Sequence, residues 1–162
     1  MDDLVSTEWL AANLGQPDLV AVDSSLFMPS SGRDARTEFL AAHIPGARFL
    51  DVEELSDKSN PAPHMLPSAE DFGQAMAALG VNRDDRIIVY DNSPIRTAAS
   101  GWFMLRHFGA ERVAILNGGL QKWSAEGRPK PRDADRARCL RNGPCRGRRS
   151  GRCRAQPGCR LG

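Results

Sequence analysis

Of all the residues in this 162-residue chain, Asp91 is placed most like a nucleophile. It ends the run Arg86-Ile87-Ile88-Val89-Tyr90, and Pro94 then bends the chain toward a helix-like stretch. A strand end facing a helix N-terminus is where α/β proteins often seat reactive groups and bound anions. An aspartyl nucleophile of phosphoryl transfer needs a nearby acid for the leaving group, commonly an Asp two positions on, and here that position is Ser93. Ser93 is no serine nucleophile either, because it lies between Asn92 and Pro94 and not in G-x-S-x-G. The plainer role of a strand-end Asp is to cap a helix or accept loop amides. Cys139, Cys145, Cys153 and Cys159 are spaced C-x5-C-x7-C-x5-C without a close pair or a nearby His. Structural zinc sites use tighter pairs, so no metal is expected, and nothing in the sequence asks for a cofactor.

Composition divides the chain near Arg128. Residues 128–162 hold twelve of the 22 Lys and Arg and two of the 20 Asp and Glu, a net +10, which leaves −8 on residues 1–127. Every aromatic residue lies at or before Trp123, and every cysteine lies after it. Residues 1–130 are therefore expected to form one acidic, soluble, cytoplasmic domain. They contain no apolar run near the roughly 20 residues of a membrane span, and Met1-Asp2-Asp3 does not resemble a signal peptide. Residues 131–162 lack periodicity and large apolar side chains, so they are expected to be a disordered, basic, Cys-containing tail. Arg, Gly, Ala, Pro and Cys are what GC-rich DNA tends to encode out of frame, and a frameshift or a mis-called gene end is the expected origin of this tail. It offers phosphates positive charge but bases no aromatic platform, so no nucleic-acid partner is expected.

The elements that must position Asp91 alternate between strand and helix. Ser6 or Thr7 caps a helix over 8–14 that Gly15 closes; 19–23 and 48–50 read as short strands, and 36–42 as a helical turn. Residues 56–67 (SDKSNPAPHMLP) form a proline-rich loop long enough to be functional. Ser68 caps a helix over 69–79, with Glu70 and Asp71 near its N-terminus and Gly80 at its stop. Strand 86–90 precedes a helix over 97–108 with Trp102, Leu105 and Phe108 on its buried stripe, and strand 112–116 precedes a last helix ending at Glu126. This alternation predicts an α/β domain: a mostly parallel central sheet between helices on both faces.

Phe39-Leu40-Ala41-Ala42-His43-Ile44-Pro45-Gly46-Ala47 resembles the rhodanese signature, an aromatic, three residues, then H-[ILV]-P-G-A. Three further stretches are similar to the first domain of two-domain thiosulfate and 3-mercaptopyruvate sulfurtransferases: 57–67, Trp102–Gly109, and Val113–Leu120 with Trp123. The resemblance covers about residues 4–130 and ends where the composition breaks. It implies a three-layer rhodanese-like fold, and a family chemistry in which a cysteine thiolate takes a sulfane sulfur and passes it to cyanide or a thiol. Such a cysteine sits at a strand end before a helix N-terminus, where its pKa falls from about 8.5 into the physiological range.

In these two-domain proteins the reactive cysteine belongs to the second domain. This chain holds a single H-I-P-G-A, and Asp91 occupies the cysteine's position. No catalytic residue is therefore expected, and the chain alone should be silent. A free Asp has a pKa of about 3.9, so the loop amides are expected to hold Asp91 as an anion. A carboxylate cannot carry a persulfide sulfur. His64 matches a position on the interdomain cleft of mercaptopyruvate enzymes, and Arg96 stands where relatives often have an aromatic, so both are candidates for touching substrate. Phe39, His43, Pro45 and Gly46 are expected to be structural, with His43 bonding backbone groups around the Pro45-Gly46 turn. The expected partners are a catalytic rhodanese domain in cis and, in the intact protein, small sulfur donors, with no membrane. The rival expectation is a stand-alone rhodanese-like binding or regulatory module.

Overall fold

A computed structural model describes residues 2–62 and 64–130. The expectations for the 131–162 tail lie outside the described residues. Five parallel strands form one sheet in the order β1-β5-β4-β2-β3: β1 Leu4–Val5, β2 Leu19–Asp23, β3 Arg48–Phe49, β4 Arg86–Tyr90 and β5 Val113–Leu116. Six helices connect them: α1 Thr7–Asn13, α2 Ala35–Ala41, α3 Val52–Leu55, α4 Ala69–Leu79, α5 Ala98–His107 and α6 Gly119–Ala125, with a 3-10 turn at Pro29–Ser31. None is long and apolar enough to cross a membrane.

The strand period of two divides the core into two layers. Leu19, Ala21, Ile88, Tyr90, Ala114 and Leu116 face Leu10, Phe39, Leu120 and Trp123, so α1, α2 and α6 cover that side. Val22, Ile87, Val89 and Val113 face Phe72, Met76, Met104 and Leu105, so α4 and α5 cover the other with α3. The central strand β4 is apolar on both faces, as the middle of a three-layer sandwich requires.

The helix caps follow local rules. Ser6 accepts the Trp9 amide at 3.1 Å, and Ser68 accepts that of Asp71 at 3.1 Å, with Gly80 closing α4 in a left-handed conformation. Three elements differ from expectation. β1 was not expected; two residues are too few to show alternation, and only pairing with β5 makes them a strand. α3 was not expected; Asp51, just after the 48–50 run, caps it by accepting the Glu54 amide at 2.9 Å. The buried stripe of α5 runs through Ala98, Gly101, Met104 and Leu105, whereas Trp102 and Phe108 are half-buried. Trp102 sits there because its indole N–H donates to the Val113 carbonyl at 3.2 Å, which ties it to the rim of the layer.

Candidate functional site

Asp23 pairs in register with Tyr90, so β2 and β4 finish side by side. Their C-terminal ends place two carboxylates, Asp23 and Asp91, side by side at the C-terminal end of the sheet. Asp91 is 4% exposed. Its Oδ2 accepts the Ala98 amide at 2.8 Å, which caps the first turn of α5, and the Thr97 hydroxyl donates to it at 3.5 Å. Its backbone carbonyl accepts the Leu120 amide at 2.9 Å, and a Cβ on Gly119 would lie 2.5 Å from that oxygen. Gly119 also has φ 55°, so glycine is needed here for both conformation and space.

Burial pushes the Asp91 carboxyl above its ordinary 3.8, outweighing the Ala98 amide, the positive charge of Arg96, the Thr97 hydroxyl and the Ser93 amide. The amides do favour the anion, as expected, but desolvation is the larger effect. Asp23 is pushed the same way by burial, against its hydrogen bonds to Ser25 and Tyr90.

Asp23 was not a candidate, yet it organises the site. Its Oδ1 accepts the Ser25 amide at 2.9 Å and the Ser25 hydroxyl at 2.6 Å. The Ser25 hydroxyl oxygen in turn accepts the Asn92 amide at 2.8 Å, and the Leu26 amide donates to Thr97 Oγ1 at 3.1 Å. The loop after β2 is thus bonded to the loop after β4. Asn92 Nδ2 donates to Glu38 at 3.0 Å, and Arg33 grips Glu38 with two bonds of 2.6 Å while lying 3.8 Å over the Phe27 ring. The signal for this network was the polar Ser24-Ser25 following a strand-end Asp.

Two concavities flank the loop. An inner cavity of about 240 Å3 is lined by Asp91, Arg96 and the Asn117-Gly118-Gly119 turn. An outer groove of about 830 Å3 holds Arg96 and His64 together against Phe27, Met28, Ile95 and Phe103. His64 (φ 57°) and Arg96 (φ 59°) are also the two non-glycine residues with positive φ among those described. Met28 is 56% exposed and Ile95 and Phe103 are each 54% exposed, so the groove presents apolar side chains to water. No sequence pattern joins Met28, Ile95 and Phe103; the fold assembles them.

The remaining motif residues stand apart from this groove. Phe39 and His43 stack with centroids 4.4 Å apart, and His43 Nδ1 pairs with the Phe39 carbonyl at 2.8 Å. That bond runs back to the last turn of α2. The turn is closed by the Ala47 amide on Ile44 O at 3.0 Å with Gly46 at φ 78°, and the Ile44 amide reaches the Tyr90 hydroxyl at 3.3 Å. The motif therefore braces the strand that delivers Asp91.

Among the described residues no cluster of His, Cys, Asp and Glu has the arrangement of a metal site. Their chemistry consists of a buried carboxylate on a helix N-terminus and, outside it, a cation and an imidazole in an apolar groove. The rhodanese-like domain profile matches residues 6–126. The chain is 44% identical over 126 residues to the mitochondrial thiosulfate/3-mercaptopyruvate sulfurtransferase 1 of Arabidopsis thaliana, covering 78% of this chain and 33% of that protein. It is 45% identical over 123 residues to the 3-mercaptopyruvate sulfurtransferase of Escherichia coli K12, covering 75% and 44%. A crystal structure of the Escherichia coli 3-mercaptopyruvate sulfotransferase superposes with a TM-score of 0.78 at 41% identity, over 82% of this chain and 51% of that one. The chain thus spans between a third and about half of these relatives, and within that span it belongs to the rhodanese-like domain family, with homology to thiosulfate and 3-mercaptopyruvate sulfurtransferases.

Proposed function

We propose that residues 1–130 are the non-catalytic half of a two-domain sulfurtransferase, a domain that walls one side of the cleft in which another half carries the reactive cysteine. The observation that carries this reading is Asp91: a buried carboxylate takes the helix N-terminus where a thiolate nucleophile would be stabilised, and it cannot form a persulfide. All four cysteines of the chain lie beyond residue 130. The exposed groove at the same end of the sheet, with His64 and Arg96 on its wall, suits burial against a partner. The partner is a catalytic rhodanese domain, expected in cis, and the substrates of the assembled cleft are small sulfur donors. The cytoplasmic placement expected from composition belongs to the same proposal.

The test is an assay of the purified chain with thiosulfate and with 3-mercaptopyruvate, each with cyanide or a thiol as acceptor. No turnover is expected from the chain alone, and turnover without a second domain would overturn the silent-half reading. Supplying a separate cysteine-bearing domain is expected to give activity above that of the added domain by itself. No gain and no association would favour the stand-alone module.

A further inference from the structure

The outer groove carries an inference that rests on the cleft-forming reading and deepens it. Of the described arginines, only Arg36 and Arg96 make no side-chain hydrogen bond, ion pair or ring contact with another described residue; the others are tied to carboxylates or carbonyls. Arg96 lines both concavities, the inner one beside Asp91 and the outer groove with His64. The Asp91 carboxylate feels its charge, yet the two groups do not close into an ion pair. Asp91 is instead occupied by the Ala98 amide and the Thr97 hydroxyl, so the guanidinium remains available to another anion.

Its placement is imposed by the loop. Arg96 stands at φ 59°, a left-handed conformation that side chains other than glycine rarely adopt. The loop is pinned on either side by the Ser25–Asn92 and Leu26–Thr97 bonds, which leave the left-handed residue between them. The walls beside it are apolar, namely Phe27, Met28, Ile95 and Phe103, and Glu53 is the one carboxylate lining the groove. When a second surface closes over such walls and removes water, the attraction between a guanidinium and a bound anion strengthens. The planar fork of an arginine also matches the paired oxygens of a carboxylate or sulfonate.

We propose that Arg96 determines donor specificity: in the assembled cleft its guanidinium holds the oxyanion end of the sulfur donor, so the half without a nucleophile selects small anionic donors. The shared chemistry is a terminal oxyanion, the sulfonate end of thiosulfate or the carboxylate of a 2-oxo acid. Arg96 binds and positions the donor; it moves no sulfur.

The test joins residues 1–130 to the catalytic half of the Escherichia coli 3-mercaptopyruvate sulfurtransferase and compares the wild-type chimera with Arg96→Gln and Arg96→Lys. Loss of one charged hydrogen-bonding partner is expected to raise KM roughly tenfold with kcat unchanged, and Arg96→Lys is expected to recover part of that loss. The thiosulfate and 3-mercaptopyruvate arms tell which oxyanion is held, and the wild-type KM should rise with salt more steeply than that of Arg96→Gln. An active chimera whose KM values ignore Arg96→Gln would overturn the assignment of Arg96 alone. So would a variant that weakens packing of the two halves, read as a lower Tm, with KM unmoved; Arg96 would then pair with the partner half. A folded but inactive chimera would overturn the cleft-forming reading and this inference together. If the junction does not fold, the full chain is mixed with the separately expressed catalytic half, and thiosulfate is titrated at constant ionic strength while the Arg96 side-chain N–H is followed by NMR. A saturable shift is expected; an unmoved signal in a mixture that associates overturns the proposal, and halves that do not associate overturn the cleft-forming reading with it.

Discussion

Around Asp91 a network of hydrogen bonds closes on itself: the carboxylate accepts Ala98 and Thr97, Ser25 bridges Asp23 to Asn92, and Leu120 holds the Asp91 carbonyl. A few residues along the same loop the situation reverses. Arg96 and His64 occupy left-handed backbone, and Ile95, Phe103 and Met28 stand in water. The hydrogen-bonded network around Asp91 is complete within this domain, while the outer groove spends conformational energy and exposes apolar surface for no internal return. Strain and exposed apolar surface that coincide in one place are features of sites built for something outside the fold.

The largest expected effect falls on the complete side. Gly119→Ala drives a methyl into the Asp91 carbonyl and strains a positive φ, so it is expected to cost roughly 3 kcal/mol, read by urea unfolding. A cost below about 0.5 kcal/mol, the ordinary surface value, would mean the inner cavity is looser than described. On the other side the sign should change. Arg96→Gly removes the left-handed penalty and is expected to stabilise the isolated chain by up to about 1 kcal/mol, while weakening donor binding in an assembled cleft. A destabilised Arg96→Gly would erase the contrast between the two regions.

The acid–base behaviour of Asp91 sharpens it further. Because burial raises this carboxyl in the folded chain, the folded state keeps a proton that the unfolded state has released in the pH window just above 3.8. Acidification through that window therefore favours the folded wild type, and the contribution is lost as pH rises through the folded value. Measured against Asp91→Asn, which cannot titrate, wild-type stability should gain as pH falls from 7 toward 4; parallel profiles would contradict a buried, raised carboxyl. The smallest effect belongs to the groove. Phe103→Ser should change the stability of the lone chain by less than about 0.5 kcal/mol yet reduce its association with a cysteine-bearing domain, measured by sedimentation. A large stability loss would place Phe103 in the core instead.

Much of the fold was legible because its punctuation is local. Ser68, Asp71 and Gly80 bound α4 as residues of those types should, and β2 and β4 are apolar runs that two-sided burial demands. What escaped was decided by distant partners. β1 is a strand only because Leu4 and Val5 lie beside Ile115 and Leu116. The stacking of His43 on Phe39 and its bond to the Phe39 carbonyl depend on how the chain leaves α2, which no residue type announces. Asp91 was recognisable at a strand end, yet whether amides or desolvation dominates depends on how deeply the loop is packed. The groove was the least legible part, because Met28, Ile95 and Phe103 belong to three segments that meet only in space, and no residue type announces that Arg96 will turn left-handed.

Both borders of the sheet are minimal: β1 and β3 contribute two residues each. A neighbouring chain finds almost no backbone ladder to extend there, so the domain gives little foothold to cross-strand aggregation. Whatever this protein recruits must be recognised through side chains, and the loops at the C-terminal ends of the strands are where the fold leaves side chains uncommitted.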